Sequence, residues 1–291
     1  MKAVGTMRPA RGRLVVKEYL MPSTPSSTKY PLTTQLAFRW LDRQARLYET
    51  FTRQALQEAG LEPGMRVLDV GTGTGAVAAL AAEMVGPEGT VLAVDRMPEV
   101  LEVARQRRQP NVSFVEGDPA EMHFAEPFDC IVGRFVLVYY PDPVIALRKL
   151  ASNLRPGGVL MFQEPDCTGV RALHDRPIFT RNDRWIVETI QAAGGDTSIG
   201  LRLYEYFVAA GLPAPTLRLD ARIGGGPDFE GYAVAAGFTA ALLDSMGERG
   251  QALAREMELE TLEQRMREEA MESGGVVVFP SLIAAWCRRP G

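Results

Sequence analysis

A chain of 291 residues is long enough for one large catalytic domain or two small ones, and it can bury enough surface to need no metal or disulfide staple. Apolar residues at 46% and charged residues at 23% exclude collagen-like, mucin-like, coiled-coil and disordered chains. A net charge of -4, from 32 basic and 36 acidic residues, lacks the basic footprint of a nucleic-acid binder and favours a small or neutral substrate.

Residues 1–30 carry Lys2, Arg8, Arg11, Arg13, Lys17 and Lys29 against Glu18, and their apolar stretches are too short for the core of a signal peptide. They are expected to form a mobile arm or to dock on a second subunit of a homo-oligomer, with Met21 as an alternative start. From Thr34, the residues Ala37, Trp40, Leu41, Leu47, Tyr48, Phe51 and Ala55 recur at three- and four-residue steps, which predicts one amphipathic helix closed by Gly60. Gln44 falls on the same apolar stripe.

Beyond Gly64 the pattern alternates. Strands are expected at 65–70, 91–94, 112–115, 130–133 and 159–163, and helices at 76–85, 100–107 and 144–154. Such alternation argues for a parallel sheet with right-handed crossovers, the doubly wound α/β class. After Pro165 a mainly helical insertion is expected over 166–200, then a helix over 201–210 ended by Gly211, and a strand over 216–223. A long charged helix over about 250–271 follows, with Glu263/Arg267 and Arg265/Glu269 pairs on a solvated face, and a last strand over 276–286. No run of about 18 apolar residues occurs, so no membrane-spanning helix is expected. The cysteines Cys130, Cys167 and Cys287 lack metal-binding spacing and read as unpaired thiols in a reducing cytoplasm. No metal site is expected.

The run Val67-Leu68-Asp69-Val70-Gly71-Thr72-Gly73-Thr74-Gly75 places a glycine turn between a buried strand and a helix, where the backbone can approach a ligand and helix amides are unpaired. Gly71, Gly73 and Ala76 also satisfy the dinucleotide fingerprint. An NAD-dependent oxidoreductase is therefore one reading, and a non-catalytic cofactor-binding module is another. Asp69 stands where a carboxylate can organise the loop and meet an ammonium group. Asp95 ends the second strand, placed to accept ribose hydroxyls from either cofactor, and Gly117-Asp118 ends the third, within reach of an adenine amino group.

Together with Phe128-Asp129 before the fourth strand and Leu154-Arg155-Pro156-Gly157-Gly158 before the fifth, this order resembles the class I methyltransferases that use S-adenosylmethionine. The resemblance covers about residues 61–166. It implies a Rossmann-like α/β sheet of seven strands in the order 3-2-1-4-5-7-6 with the last strand antiparallel. Residues 31–291 would form the domain, with a helical lid or insertion over about 31–60 and 167–210. By the same resemblance Asp69, Gly71, Thr72, Gly73 and Gly75 would line the methionine moiety, and Asp95 would hold the ribose. Arg96 and Met97 would flank the adenine, with Gly117 and Asp118 at its amino edge. Backbone atoms around Arg134 and Phe135 would receive the ammonium group, and Gln44 would reach the carboxylate. The segment Gly133-Arg134-Phe135-Val136-Leu137-Val138-Tyr139-Tyr140-Pro141-Asp142-Pro143 and the closing Val277-Val278-Phe279-Pro280 look similar to small-molecule methyltransferases of actinobacterial secondary metabolism, which would suggest antibiotic biosynthesis.

A sulfonium methyl is already activated, so alignment and exclusion of water matter more than a catalytic triad. The acceptor is expected beyond the carboxyl ends of the strands, near Phe135, Tyr139 and Tyr140, with Tyr30 folding over the opening. His174 is the first choice for a general base. Glu164 and Asp166 could serve as a base or an orienting pair, or simply cap a loop. His123 is read as structural. The expected reaction is O-, N- or C-methylation of a small, largely apolar acceptor, with carbon methylation of a prenyl or aromatic group preferred. The absence of an Asn-Pro-Pro-Tyr type motif after the fourth strand argues against base methylation in nucleic acids.

Overall fold

The computed structural model describes residues 35–172 and 176–291. The expectations for the N-terminal arm, for Tyr30 and for His174 lie outside the described residues. Helix α1 (Gln35–Ala59) buries Trp40, Leu47, Tyr48, Ala55 and Leu56, the stripe that the sequence spacing implies. It stops at Gly60, whose left-handed φ of 89° lets the Leu61 amide turn back to the Leu56 carbonyl at 2.9 Å.

The alternating half then follows as β1 (Arg66–Val70), α2 (Ala76–Val85), β2 (Thr90–Asp95), α3 (Pro98–Arg105), β3 (Val112–Glu116), β4 (Phe128–Arg134), α4 (Pro143–Ala151) and β5 (Leu154–Asp166). Helix α4 starts sharply because Pro143 presets its first turn while the Asp142 carboxylate accepts the Ile145 amide at 2.9 Å. The chain continues through the two-residue strand β6 (Arg171–Ala172), then α5 (Pro177–Ala192), α6 (Leu203–Ala209), β7 (Thr216–Gly224), α7 (Gly231–Ser245), α8 (Glu248–Glu256), α9 (Leu259–Ser273) and β8 (Val277–Arg288).

Pairing runs β3-β2-β1-β4-β5-β8-β7, parallel as far as β5. Strand β8 is antiparallel to both neighbours, with Val159 opposite Arg288 and Asp166 opposite Ser281. This is the expected seven-stranded order, with β7 and β8 as the sixth and seventh strands; β6 adds a short pairing with Val277 and Val278. Val67, Val91, Val132, Val159 and Met161 bury one face of the sheet against α1 and α2. Leu68, Val70, Ile131, Leu160 and Phe162 bury the other against α4 and α6. A third cluster, built from α1, α5, α7 and α9 with Phe279 and Leu282 of β8, forms a helical lobe.

Two expectations need correction. The long charged helix is two helices, α8 and α9, broken where Glu258 takes a left-handed φ of 49°. Neither glycine nor proline marks the break; the Arg265 guanidinium covers the freed Met257 and Glu258 carbonyls at 2.6 and 3.1 Å. Its face is not simply solvated either. The Glu263–Arg267 pair forms at 2.9 Å, but Glu269 turns away from Arg265 and accepts the Ile178 and Phe179 amides of α5, while Leu262, Met266 and Ala270 are buried. Helix α7 has no counterpart in the sequence reading. Small apolar residues surround its axis and nine of its 15 residues are buried, so it lacks the polar stripe that betrays a surface helix.

Candidate functional site

The turn from β1 to α2 is held on three sides. Gly71, Gly73 and Gly75 have left-handed φ values of 63°, 54° and 79°, which only glycine adopts without cost. The Thr72 amide donates to the Val94 carbonyl at 3.0 Å, and the Thr72 hydroxyl donates to Asp69 at 2.6 Å. A Cβ on Gly71 would sit 2.4 Å from Val136, and one on Gly75 would sit 3.0 Å from Ala104; one on Gly73 would meet nothing within 4 Å. The loop is therefore packed at its ends and open in its middle. Its third restraint comes from α1, where the Asp42 carboxylate accepts the Thr74 hydroxyl at 2.8 Å and an Arg107 donor at 2.7 Å. Arg107 also donates to the Thr74 carbonyl at 2.6 Å.

Asp95 fixes the far side of the loop. One of its oxygens accepts the Gly73 amide at 2.8 Å and the other the Met97 amide at 3.0 Å, so the residue expected to hold the ribose also sets the loop that faces it. Burial raises its carboxyl pKa, against these amide bonds. Gly117 reaches back to the Asp95 carbonyl at 2.9 Å. Asp118 accepts the Ala120 amide at 3.0 Å, the Tyr140 hydroxyl at 2.9 Å and Arg96 at 2.5 Å. The Arg96 guanidinium stacks 4.7 Å over the Tyr140 ring. Tyr140, expected at the acceptor, is held by Asp118 and Arg96. Met97 is half-buried beside it and His123 is exposed.

At the carboxyl ends of β4 and β5 the two candidate acids serve the backbone. Glu164 is fully buried, and one of its oxygens accepts the Val136 and Leu137 amides at 2.9 and 2.7 Å. Its other oxygen has no partner among the described residues, and burial pushes its pKa to about 8. Asp166 accepts both the amide and the hydroxyl of Thr168, at 2.9 and 2.7 Å. Both are the loop-capping geometry. Phe135 adopts a left-handed φ of 57°. Its amide is taken by the Gln163 carbonyl at 2.9 Å, which leaves carbonyls rather than that amide to meet an ammonium group.

A buried polar cluster joins β1, β4 and α1. Asp69 is buried, and that burial lifts its pKa to about 7 despite the Thr72 hydroxyl and the nearby Arg134. Arg134 donates to the Thr52 hydroxyl at 2.9 Å, and burial brings it down to about 10. Gln163, its register neighbour on β5, is fully buried with neither amide atom partnered among the described residues. Gln44 is half-buried on the Trp40–Tyr48 stripe, and Asp42 of the same helix contacts the loop.

The sequence reading missed Asp42, Thr52, Arg107 and Asp183. The first three act over 32 to 82 residues of separation, and no local motif marks them. Asp183 of α5 lies near Cys167, and burial raises its carboxyl to about 6; its only signal was a lone carboxylate in a helix of mixed polarity. The lobe above is aromatic, with Trp40 stacked on Phe238 at 4.4 Å and Tyr48 edge-on to Phe135 at 5.6 Å. Among the described residues no helix is long and apolar enough to cross a membrane, and no three His, Cys, Asp or Glu cluster as metal ligands do.

A glycine loop open at Gly73, with Asp95 and Asp118 following β2 and β3 and a buried Asp69 behind it, is the arrangement the sequence reading expects around a nucleoside carrying an amino-acid tail. The architecture is the Rossmann-like methyltransferase fold. Residues 61–204 match the family described as Methyltransferase domain. The chain is 34% identical over 139 residues to the ubiquinone/menaquinone biosynthesis C-methyltransferase UbiE of Vibrio cholerae, covering 45% of this chain and 52% of that one. It is 31% identical over 120 residues to the demethylmenaquinone methyltransferase of Staphylococcus aureus, covering 40% and 50%. The chain therefore spans about half the length of the curated relatives it matches. Among solved structures, a putative methyltransferase from Bacillus halodurans superposes with a TM-score of 0.54 at 20% identity, covering 82% of this chain and 99% of that one. The YcgJ protein of Bacillus subtilis gives 0.50 at 16% identity, covering 81% and 97%. Both likenesses concern the fold.

Proposed function

We propose that the chain transfers a methyl group from S-adenosylmethionine to a small, largely apolar acceptor seated in the aromatic lobe. The observation that carries this reading is the single loop whose open middle, at Gly73, is fixed by Asp95, with Asp69 behind it and Asp118 beyond. The bound sulfonium would supply a methyl carbon already activated for in-line displacement. The protein then needs to align and to desolvate. Asp95 and Asp118 would grip sugar and purine, while Asp69 and the carbonyls around Phe135 would orient the amino-acid tail. Trp40, Tyr48 and Phe135 would exclude water and hold the acceptor plane. Glu164 would act as a positioning residue, through the turn that carries Phe135 to Leu137. His174 and Tyr30 stay as proposals for proton removal and closure.

Relatives named for C-methylation in quinone biosynthesis support an electron-rich carbon as the acceptor atom, ahead of oxygen or nitrogen. A role in natural-product methylation in the cytoplasm fits the three unpaired cysteines and the apolar lobe. The test is calorimetry with S-adenosylhomocysteine and NADH in parallel, then release of S-adenosylhomocysteine against a panel of prenylated hydroquinones and phenols. Binding of the first ligand alone, with turnover on the panel, is expected. Binding of NADH alone would replace this reading with the oxidoreductase.

A further inference from the structure

The helical lobe contains a cation with no anionic partner among the described residues. Arg176, at the start of α5, is 1% exposed. One terminal nitrogen, Nη1, donates to the Glu269 carbonyl at 3.0 Å, whereas Nε and Nη2 are buried with no hydrogen-bond partner among the described residues. Those two nitrogens form the side-on fork of the guanidinium, the edge that receives a carboxylate in two parallel hydrogen bonds. A guanidinium cannot shed its proton to escape burial. The neighbouring acid, Glu269, is already engaged, since its two oxygens accept the Ile178 and Phe179 amides.

A second unpartnered donor lies beside it. The Tyr232 hydroxyl of α7 is buried with no hydrogen-bond partner among the described residues, and it feels the positive charge of both Arg176 and Arg267. The Arg267 guanidinium sits 5.8 Å from the Tyr232 ring. Three orphaned donors and two cations make a set that calls for an acceptor-only anionic group. Phe179, Tyr232 and Phe279 belong to the same cluster as Phe135 at the end of β4, so the cation adjoins the aromatic lobe proposed for the methyl acceptor.

We propose that Arg176 and Tyr232 bind a carboxylate, and that the ligand of the lobe is an aromatic or otherwise apolar acid anchored by that group. The inference rests on the methyl-transfer reading for the identity of the ligand as acceptor, but not for the carboxylate site itself. Anchoring at Arg176 would leave the apolar body of the acid among Phe179, Phe279 and Phe135, with its far end toward the loop.

The experiment is calorimetry on the full chain saturated with S-adenosylhomocysteine, titrated with 2-naphthoate and with methyl 2-naphthoate. The acid is expected to bind about tenfold or more tightly than the ester, and the preference is expected to vanish in Arg176→Gln and to shrink in the volume-conserving Tyr232→Phe. Equal binding of acid and ester, binding of neither, or a preference that survives in both variants would overturn the proposal. S-adenosylhomocysteine affinity, measured in every sample, shows that the variants are folded. Its absence in the unaltered protein would defeat the methyl-transfer reading instead, whatever the two naphthyl compounds do.

Discussion

The Asp42 carboxylate of α1 accepts the hydroxyl of Thr74 at 2.8 Å, which ties the first helix directly to the glycine loop. Arg107 completes the latch from just beyond α3. The charges are about one-third exposed, so the latch adds little to global stability, on the order of 1 kcal/mol or less. Its effect falls on the shape of the loop.

Asp42→Ala and Arg107→Ala are therefore expected to weaken S-adenosylhomocysteine binding about tenfold, with only a small change in melting temperature. Calorimetry and a thermal scan on the same preparations check both halves. An affinity that does not move in either variant would show that the loop is set without its latch.

Gly71 and Gly73 separate packing from binding. Both have left-handed φ values, which alone cost an alanine roughly 1–2 kcal/mol. Gly71→Ala adds the collision with Val136 and is expected to lower stability by about 3 kcal/mol. Gly73→Ala meets no protein atom, so it should melt closer to the parent yet lose most affinity for S-adenosylhomocysteine. The reverse pattern in denaturant melts and titrations would mean that the ligand does not approach at Gly73.

Asp95 holds two backbone amides with separate oxygens. Asp95→Asn keeps one acceptor and turns the other into a donor facing a donor. Charged hydrogen bonds of this kind contribute about 1.5–3 kcal/mol, so S-adenosylhomocysteine affinity is expected to fall about thirtyfold. Retained affinity would remove Asp95 from the site.

Glu164 gives the pH dependence a sign. Its carboxyl is raised to about 8 in the folded chain, far above its unfolded value, so the native state holds a proton that the unfolded chain has released. Stability from this group is present at acid pH and is lost as the pH climbs from the unfolded pKa to about 8. Glu164→Gln keeps an acceptor for the Val136 and Leu137 amides without the buried charge. Its melting temperature should fall less than the parent's between mildly acid and mildly alkaline buffer, by roughly 4 °C or more. Parallel curves for the two proteins would mean that Glu164 does not titrate in this range.

The strand-and-helix half was legible because each element is short, apolar and punctuated. Val67 to Gly75 shows strand, turn and helix start within nine letters, and Asp95 and Asp118 lie at strand ends, where local pattern suffices. The helical lobe was not. Helix α7 has no amphipathic stripe, and the break at Glu258 has no breaker residue. Asp42, Arg107, Arg134 and Thr52 meet through the fold alone. Glu164 and Asp166, read as following the fifth strand, lie within β5, and the backbone donors they hold come from turns that only the fold brings to them.

Helix α1 is the first described element, yet it is locked in place from the far end of the chain: the Tyr48 hydroxyl donates to the Pro280 carbonyl at 2.9 Å, and Arg288 reaches the Ala59 carbonyl at 3.5 Å. Both contacts span more than two hundred residues, and ordering so much intervening chain is a slow event. During synthesis the roof over the loop must wait for β8, so a nascent chain halted before that strand would carry the glycine loop beneath an unfastened cover.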